Sequence, residues 1–528
     1  LNLAKPLLNS LEIILPLRNP PPVLEQTVKS LAAQTDRGFT VLLSDNHSSR
    51  GEAEFASAEK TLVSAGIAVR RVRPPVELGR VEHWNWAHYE ARAEWLKPIF
   101  AGDWLEPWYV ARLRMAVDHS PECRYVFTPF VLHWGDEPPR VVTNPWAGKF
   151  HRAEVMAQIV LAGGMQFGPP SAAAYERTAF ISLGGFPTTL PICSDSLLFC
   201  AMASRFGALG LPEPLCHFNI HGARFSTTLP GKQAATFQET LTYYWMLSAR
   251  RFRGLRSCAC SCGNAVPTGP NDDCVTTSFE FLIPASDDQA ALLRTVESLA
   301  SQTDRGFGVL VGADAHGEPE ELLTAKGIAV RRLKPPTFLR GIEVWNWLHA
   351  QSEGEWLKLL LPGEQLKPLC VERCRQRALA RRGTQLLRCD VEERTEWGLQ
   401  IERAPVGDGI IAPAEFAELC GHGLDWISRS VNVAYRKTAW VASGGYSAQL
   451  PARAALNLNV ILALQHGLEN VAETLAVTGA ADEPDALAMG RETWLVLRQA
   501  RNYCAASNLP WPKCRVWASA LAAVLGRG

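Results

Sequence analysis

Three acidic residues stand at the edges of apolar runs. Asp45 closes "FTVLLSD", Asp103 closes "WLKPIFAGD", and Asp195 opens the helix-compatible run "CSDSLLFCAMASRFG". Carboxylates at strand ends can face one crevice, so Asp45 and Asp103 are candidates to meet a common ligand. Each acid also has a plain structural role: Asp45 and Asp103 fit turns that follow a strand, and Asp195 fits a helix N-cap. Arg18, at the end of the first apolar run, and Arg80, in "ELGRVEHWNW", carry guanidinium forks that match phosphate oxygens in pairs, with ordinary solvation as the competing reading. A further constellation is Cys258, Cys260, Cys262 and Cys274 in the spacing C-x-C-x-C-x11-C. Four thiols suffice for a tetrahedral Zn2+ site, but the usual C-x2-C knuckle is absent, and an unligated linker competes with zinc.

The elements that must position these groups are repeated. "SLAAQTDRGFTVLL" at 30–43 returns as "SLASQTDRGFGVLV" at 298–311, and "GIAVRRVRPP" at 66 returns as "GIAVRRLKPP" at 327. "HWNWAHYEARAEWLKP" at 83 pairs with "VWNWLHAQSEGEWLKL" at 344, and "AAAYERTAFISLGGF" at 172 with "NVAYRKTAWVASGGY" at 432. Two long copies in the same internal order indicate tandem globular domains; solenoid units are far shorter. In each copy, short β-rich runs alternate with helix-compatible segments such as "VLEQTVKSLAAQ", which predicts an α/β fold with a mainly parallel sheet. The expected organisation is a first domain over 1–255, a linker over 256–275 rich in Cys, Gly, Pro, Asn and Asp, a second domain over 276–485 and a helical tail over 486–528.

Composition narrows the function classes. The 528 residues balance 53 Lys plus Arg against 53 Asp plus Glu, so no net field draws nucleic acid or an anionic membrane. No apolar run reaches the roughly 18 residues that span a bilayer, and "LNLAKPLLNSLEIILPLRN" lacks a signal-peptide cleavage pattern. The 14 cysteines are mostly scattered singly in apolar segments, as buried thiols of a reducing compartment would be. A cytoplasmic protein without a transmembrane segment is the expectation. The final run, "CRVWASALAAVLGRG", suits an amphipathic docking helix, and the second domain or this helix offers a surface for homo-oligomers.

Taken in order, "ILPLRNPPPVLEQTVKSLAAQT", "VLLSDNHSS", "AGDWLEP", "FGPPSAAAYERTAFISLGGF", "CSDSLLFCAMASRFG" and "NIHGARFSTT" resemble the catalytic domain of glycosyltransferase family 2. The resemblance covers about residues 11 to 228. It implies a GT-A fold, here present as two tandem Rossmann-like domains, and transfer of a sugar from a nucleotide-diphosphate donor to a hydroxyl acceptor. Asp103 matches the last acid of the family's DxD metal motif, with Ala101 and Gly102 at the preceding positions. Mg2+ or Mn2+ could be held by this one Asp while diphosphate oxygens and water complete the shell. His221 resembles a position that completes the metal or diphosphate site. Asp195 corresponds to the catalytic base, with Ser194 where the family has another acid. Asp45 matches the residue that hydrogen-bonds the nucleobase, such as the ring N–H of uracil. Arg18, Arg80 and Asn85 are the remaining candidates to contact the donor.

The second copy acts as an internal control. Arg18 faces Ser286, Asp45 faces Ala313, Asp103 faces Glu364 and Asp195 faces Ala455, whereas Trp84, Asn85 and Trp86 persist as Trp345, Asn346 and Trp347. Gly184 and Gly185 likewise persist as Gly444 and Gly445. Changed chemical positions on kept structural ones predict a degenerate second domain, with tryptophans that pack. The preferred reading is an inverting, metal-assisted transferase using a UDP-sugar. The alternative is a non-catalytic carbohydrate-binding or scaffold protein. A sugar nucleotidyltransferase is disfavoured, because "PLRNPPP" stands where a Gly-rich phosphate loop is required.

Overall fold

A computed structural model describes residues 10–161, 167–188, 192–220, 278–312, 318–381, 383–395, 398–420, 424–448, 450–479, 486–506 and 509–510. His221, Ala313, the four linker cysteines and residues 511–528 lie outside them. The chain divides into two compact units, Leu1–Ser248 and Ala249–Gly528. The fold is α/β, with Rossmann-like, parallel-rich sheets in both.

The first unit opens with β1 (Leu11–Leu17), α1 (Leu24–Ala32), β2 (Thr40–Asp45), α2 (Glu52–Ser64), β3 (Ala68–Val72), α3 (Arg80–Glu90) and β4 (Trp95–Pro98). It continues through β5 (Trp104–Leu105), α4 (Tyr109–Asp118), β6 (Tyr125–Phe127), β7 (Phe130–Trp134), β8 (Arg140–Val142), β9 (Phe150–His151) and α5 (Ala153–Leu161). Last come β10 (Ala173–Glu176), α6 (Arg177–Ser182), α7 (Ser194–Phe206), β11 (Ala208–Gly210) and β12 (Cys216–Ile220). All seven residues of β1 are buried, which accounts for a nearly uninterrupted apolar run where a half-buried strand would alternate. Helix α1 buries Leu24, Thr27, Val28 and Leu31, the stripe that a 3.6-residue repeat aligns against a sheet.

The main sheet has the order β3-β2-β1-β4-β10-β6-β11-β9. Strands β3, β2, β1 and β4 are parallel, and β10 then enters antiparallel to β4. The chain moves outward from β1 through β2 and β3 and returns on the other side at β4. Between β1 and β4 the winding direction reverses, and the carboxyl ends flanking such a reversal leave an open crevice. That edge carries Asp45, the last residue of β2, and the loop from β4 to Asp103.

A four-stranded sheet, β5-β12-β7-β8, adjoins this edge. Pro129 separates β6 from β7, and Pro212 and Pro214 separate β11 from β12; lacking N–H donors, they interrupt the ladders. Thr128 fills the break: its hydroxyl donates to Glu213 O at 2.6 Å and accepts from Leu215 N at 3.2 Å.

The second unit contains β13 (Phe279–Pro284), β14 (Phe307–Gly312), β15 (Ala329–Leu333), β16 (Trp356–Leu359), β17 (Gln365–Leu366), β18 (Leu386–Thr395), β19 (Gly398–Glu402), β20 (Gly409–Ile411), β21 (Val433–Arg436) and β22 (Leu468–Gly479). Its order, β15-β14-β13-β16-β21-β18-β22-β17, repeats that of the first sheet through seven strands. Here the prolines are absent, β18 and β22 run through, and the strain is taken by a bulge at Asp390. The helix Ala486–Ala506 packs on the helix Ala454–His466 of the same unit, and Glu492 accepts from Arg453 N at 2.9 Å. Among the described residues, no helix is long and apolar enough to cross a membrane.

Candidate active site

Asp103 ends the loop from β4, on a turn that Gly102 allows by adopting φ 95°. Its carboxylate is buried. Oδ2 accepts from the Ser171 hydroxyl at 2.5 Å, and Oδ1 accepts from Asn219 N at 3.1 Å. Beneath it, Lys97 projects from the middle of β4 into the core, where its ammonium donates to Pro98 O at 3.2 Å and to Ser171 O. The Tyr109 ring lies 4.9 Å from Nζ. Burial pushes the Lys97 pKa down to about 8, opposed by Cys216 and by the carboxylate of Asp103. Lys97 thus bonds to main-chain carbonyls, and Ser171 links it to Asp103, whose nearby negative charge favours the ammonium.

This arrangement bears on the expected metal site. A divalent ion needs several oxygen ligands, and each oxygen of Asp103 accepts one hydrogen bond while keeping a further lone pair. Among the described residues, no group of three or more His, Cys, Asp or Glu is arranged to hold an ion. Asp103 would supply one carboxylate to Mg2+ or Mn2+, with donor diphosphate oxygens and water completing the shell. His221, the second expected ligand, and the Cys258, Cys260, Cys262 and Cys274 set proposed for zinc lie outside the described residues.

Asp195 occupies the first turn of α7, half-buried, and its Oδ1 accepts from Ser196 N at 2.8 Å. Loss of solvent raises its pKa above the usual carboxylate range, against the lowering effects of the Ser196 N–H and of Arg80. Arg80 begins α3, with its guanidinium 4.5 Å above the Trp84 ring. Trp84 in turn lies 4.8 Å from the ring of Phe100, three residues before Asp103. This run of contacts brings α7, α3 and the β4 loop together at the carboxyl edge.

Asp45 lies at the same edge with its side chain fully buried. Its carboxylate accepts from Ser48 N at 2.9 Å, from Arg71 at 3.2 Å and from Arg73. Burial alone would raise its pKa, but Ser48, Arg73 and Arg71 hold it down to about 2. Direct contact with a nucleobase would require one of these partners to yield. Arg18 is exposed and paired with exposed Glu77 at 2.5 Å, so it points along the surface.

Asn85 is a structural tie. It is fully buried, its Nδ2 donates to Phe186 O at 2.9 Å and its Oδ1 accepts from Phe186 N at 2.8 Å. A Cβ on Gly185, at φ +68°, would come within 2.6 Å of that oxygen, so the glycine is part of the same lock. Asn346 makes the same pair of bonds with Tyr446, both at 2.8 Å, beside Gly445. Both polar atoms of the Asn85 amide are engaged in this lock. Trp84 and Trp86 are buried, in keeping with packing.

In the second unit Glu364 keeps the surroundings of Asp103. Lys358 is buried on β16, and Ser430 donates to Glu364 at 3.4 Å. The longer side chain curls back so that Oε2 accepts from Leu361 N at 2.7 Å, and burial pushes its pKa up to about 7. The residues overlooked in the sequence are thus Lys97 and Ser171. A lysine repeated inside an apolar strand, "WLKP" and "WLKL", was the available signal.

No protein-family model and no curated protein matches the chain. Among solved structures it is similar to residues 1–349 of S. aureus TarS in complex with UDP-GlcNAc, at 12% identity and a TM-score of 0.37, covering 46% of this chain and 68% of that one. The longer TarS structure matches at 12% identity and a TM-score of 0.33, over 46% of this chain and 44% of its own. The mannosyltransferase PcManGT from Pyrobaculum calidifontis, in complex with GDP-Man and Mn2+, matches at 18% identity and a TM-score of 0.33, over 46% and 65%.

Proposed function

We propose that this chain is an inverting glycosyltransferase that moves a sugar from a nucleotide-diphosphate donor, a UDP-sugar foremost, to a hydroxyl acceptor, with the chemistry in the first unit. The observation that supports the reading is the carboxyl edge between β1 and β4, near which Arg80 begins α3 and Asp195 lies in the first turn of α7, within electrostatic reach of each other. In this reaction the acceptor hydroxyl gives its proton to the Asp195 carboxylate while its oxygen bonds to the anomeric carbon. The bond from that carbon to the diphosphate oxygen breaks, and the nucleoside diphosphate leaves with the electron pair. One displacement inverts the centre, and Asp195 later returns the proton to solvent. Arg80 supplies a positive charge near the departing diphosphate, where charge develops. Asp45 orders the loop through Ser48 against which the base rests.

The second unit is the non-catalytic partner in this scheme. Ala455 replaces the base, and Glu364 is committed to its own turn.

Asp195→Asn tests the assignment. Transfer, followed as nucleoside diphosphate release with UDP-GlcNAc and GDP-Man as first donors, should fall by about 10^2 to 10^4, the usual contribution of a general base. Donor-induced stabilisation should persist. Unchanged turnover in this variant removes Asp195 from the role of general base.

A further inference from the structure

On the four-stranded sheet beside the carboxyl edge, a carboxylate and two imidazoles form a chain. Glu106 Oε1 lies 2.8 Å from His217 Nε2, and His217 Nδ1 lies 3.0 Å from His133 Nε2. The direction of the hydrogen bonds follows from the first member. The carboxylate can only accept, so His217 Nε2 carries a proton and Nδ1, in the neutral ring, holds a lone pair. His133 must then donate through Nε2, and its own Nδ1 is left with an outward lone pair. With both rings neutral the chain ends in a hydrogen-bond acceptor.

Its supports are rigid. Glu106 N donates to Leu215 O at 3.0 Å and Gln34 Nε2 donates to Glu106 O at 2.8 Å, so the first member is pinned by its backbone. His217 and His133 sit on adjacent parallel strands, β12 and β7. The Trp104 ring stacks on His217 at 4.7 Å with an interplanar angle of 8°, and lies 4.5 Å from His133. All three rings are partly exposed. Val141, paired with Val131 on the neighbouring edge, is 52% exposed, so this part of the sheet meets solvent. The site also adjoins the edge described above: His133 is in register with Asn219, whose N–H holds Asp103.

We propose that Trp104 and His133 form an acceptor subsite, in which the indole takes the apolar face of a sugar ring and His133 Nδ1 takes a hydrogen bond from one of its hydroxyls. Glu106 and His217 are positioning residues that fix the His133 tautomer. The proposal rests on the glycosyltransferase reading only for calling the bound carbohydrate an acceptor; the site's chemistry is that of a hydroxyl-bearing ring.

The test uses the full chain and chitotetraose, cellotetraose and maltotetraose as probes in saturation-transfer difference NMR. At least one should receive saturation, and His133→Gln and Trp104→Leu should each reduce that signal about five-fold or more. Glu106→Gln leaves both binding side chains in place and should still weaken the signal, because the tautomer is no longer imposed. UDP-GlcNAc-induced thermal shifts should be equal in all four proteins. Undiminished saturation in the variants, or no saturation of any glycan by a wild-type chain that binds the donor, overturns the subsite. Saturation that depends on His133 in a chain that binds no nucleotide sugar keeps the subsite and overturns the transferase reading.

Discussion

Lys97→Met should abolish the pH dependence of stability that the buried ammonium imposes on the first unit. The Lys97 pKa falls from 10.5 to about 8 on folding. Below pH 8 both folded and unfolded chains are protonated, and the folded state carries the cost of the buried charge. Between pH 8 and 10.5 the folded state gives up the proton while the unfolded chain keeps it, so stability rises with pH. A difference of 2.5 units corresponds to about 3 kcal/mol at most, spread over that window. The Met variant has no proton to release. Wild type minus variant should therefore climb by about 3 kcal/mol between pH 7 and 10.5, while other lysines and tyrosines cancel. Urea unfolding at each pH, read by hydrogen exchange of peptides from β4, isolates the first unit. Asp103→Asn removes the attraction that keeps the ammonium charged, lowers the Lys97 pKa further and moves the rise to lower pH. Parallel curves for wild type and Lys97→Met, or an Asp103→Asn variant whose rise does not move, would refute the pairing of Asp103 with an internal cation.

Two further outcomes follow from groups at the same edge. Asn85→Ala strips both partners from the Phe186 main chain and should cost about 3 kcal/mol, as unsatisfied buried peptide groups do; in calorimetry the transition of the first unit should move and that of the second should not. Asp45 contributes stability that is complete above pH 3.8 and is lost as pH falls through about 2, up to about 2 kcal/mol. Asp45→Asn should flatten that part of an acid titration, and a retained acid limb would show that Arg71 and Arg73 do not hold the carboxylate.

The α/β, mainly parallel character was legible because β1, β2 and β4 are apolar runs punctuated by helix-like segments, and the repeat showed the pattern twice. The small sheet was not. Its two-residue β5 gives no periodicity, and its strands separate from β6 and β11 only because Thr128, Pro129, Pro212 and Pro214 replace ladder bonds with side-chain ones. The site divides in the same way. Asp45, Asp103 and Asp195 could be marked by their places at the ends of apolar runs, but their partners are distant in sequence: Ser171 is 68 residues from Asp103, and His217 is 111 from Glu106. The repeat did contain a sharper signal for Asn85. It persists as Asn346 along with its tryptophans, and the reasoning that gave the rings to packing applied equally to the amide between them.

The comparison of the two copies bears on what Asp103 does. An acid whose whole purpose was to hold a cation for the donor would have no reason to survive where Asp195 has become Ala455. Yet the second unit keeps an acid as Glu364 and a buried lysine as Lys358, while Val431 stands at the position of Ser171 and a neighbouring serine, Ser430, donates to the acid instead. Removing only the acid would leave a buried ammonium without its counter-charge, a costly state, and this constraint acts whether or not the crevice binds anything. The acid and the lysine are thus held by the fold. Asp195, by contrast, is alanine in the copy, Ala455, as the proposed role of Asp195 toward an external acceptor would allow.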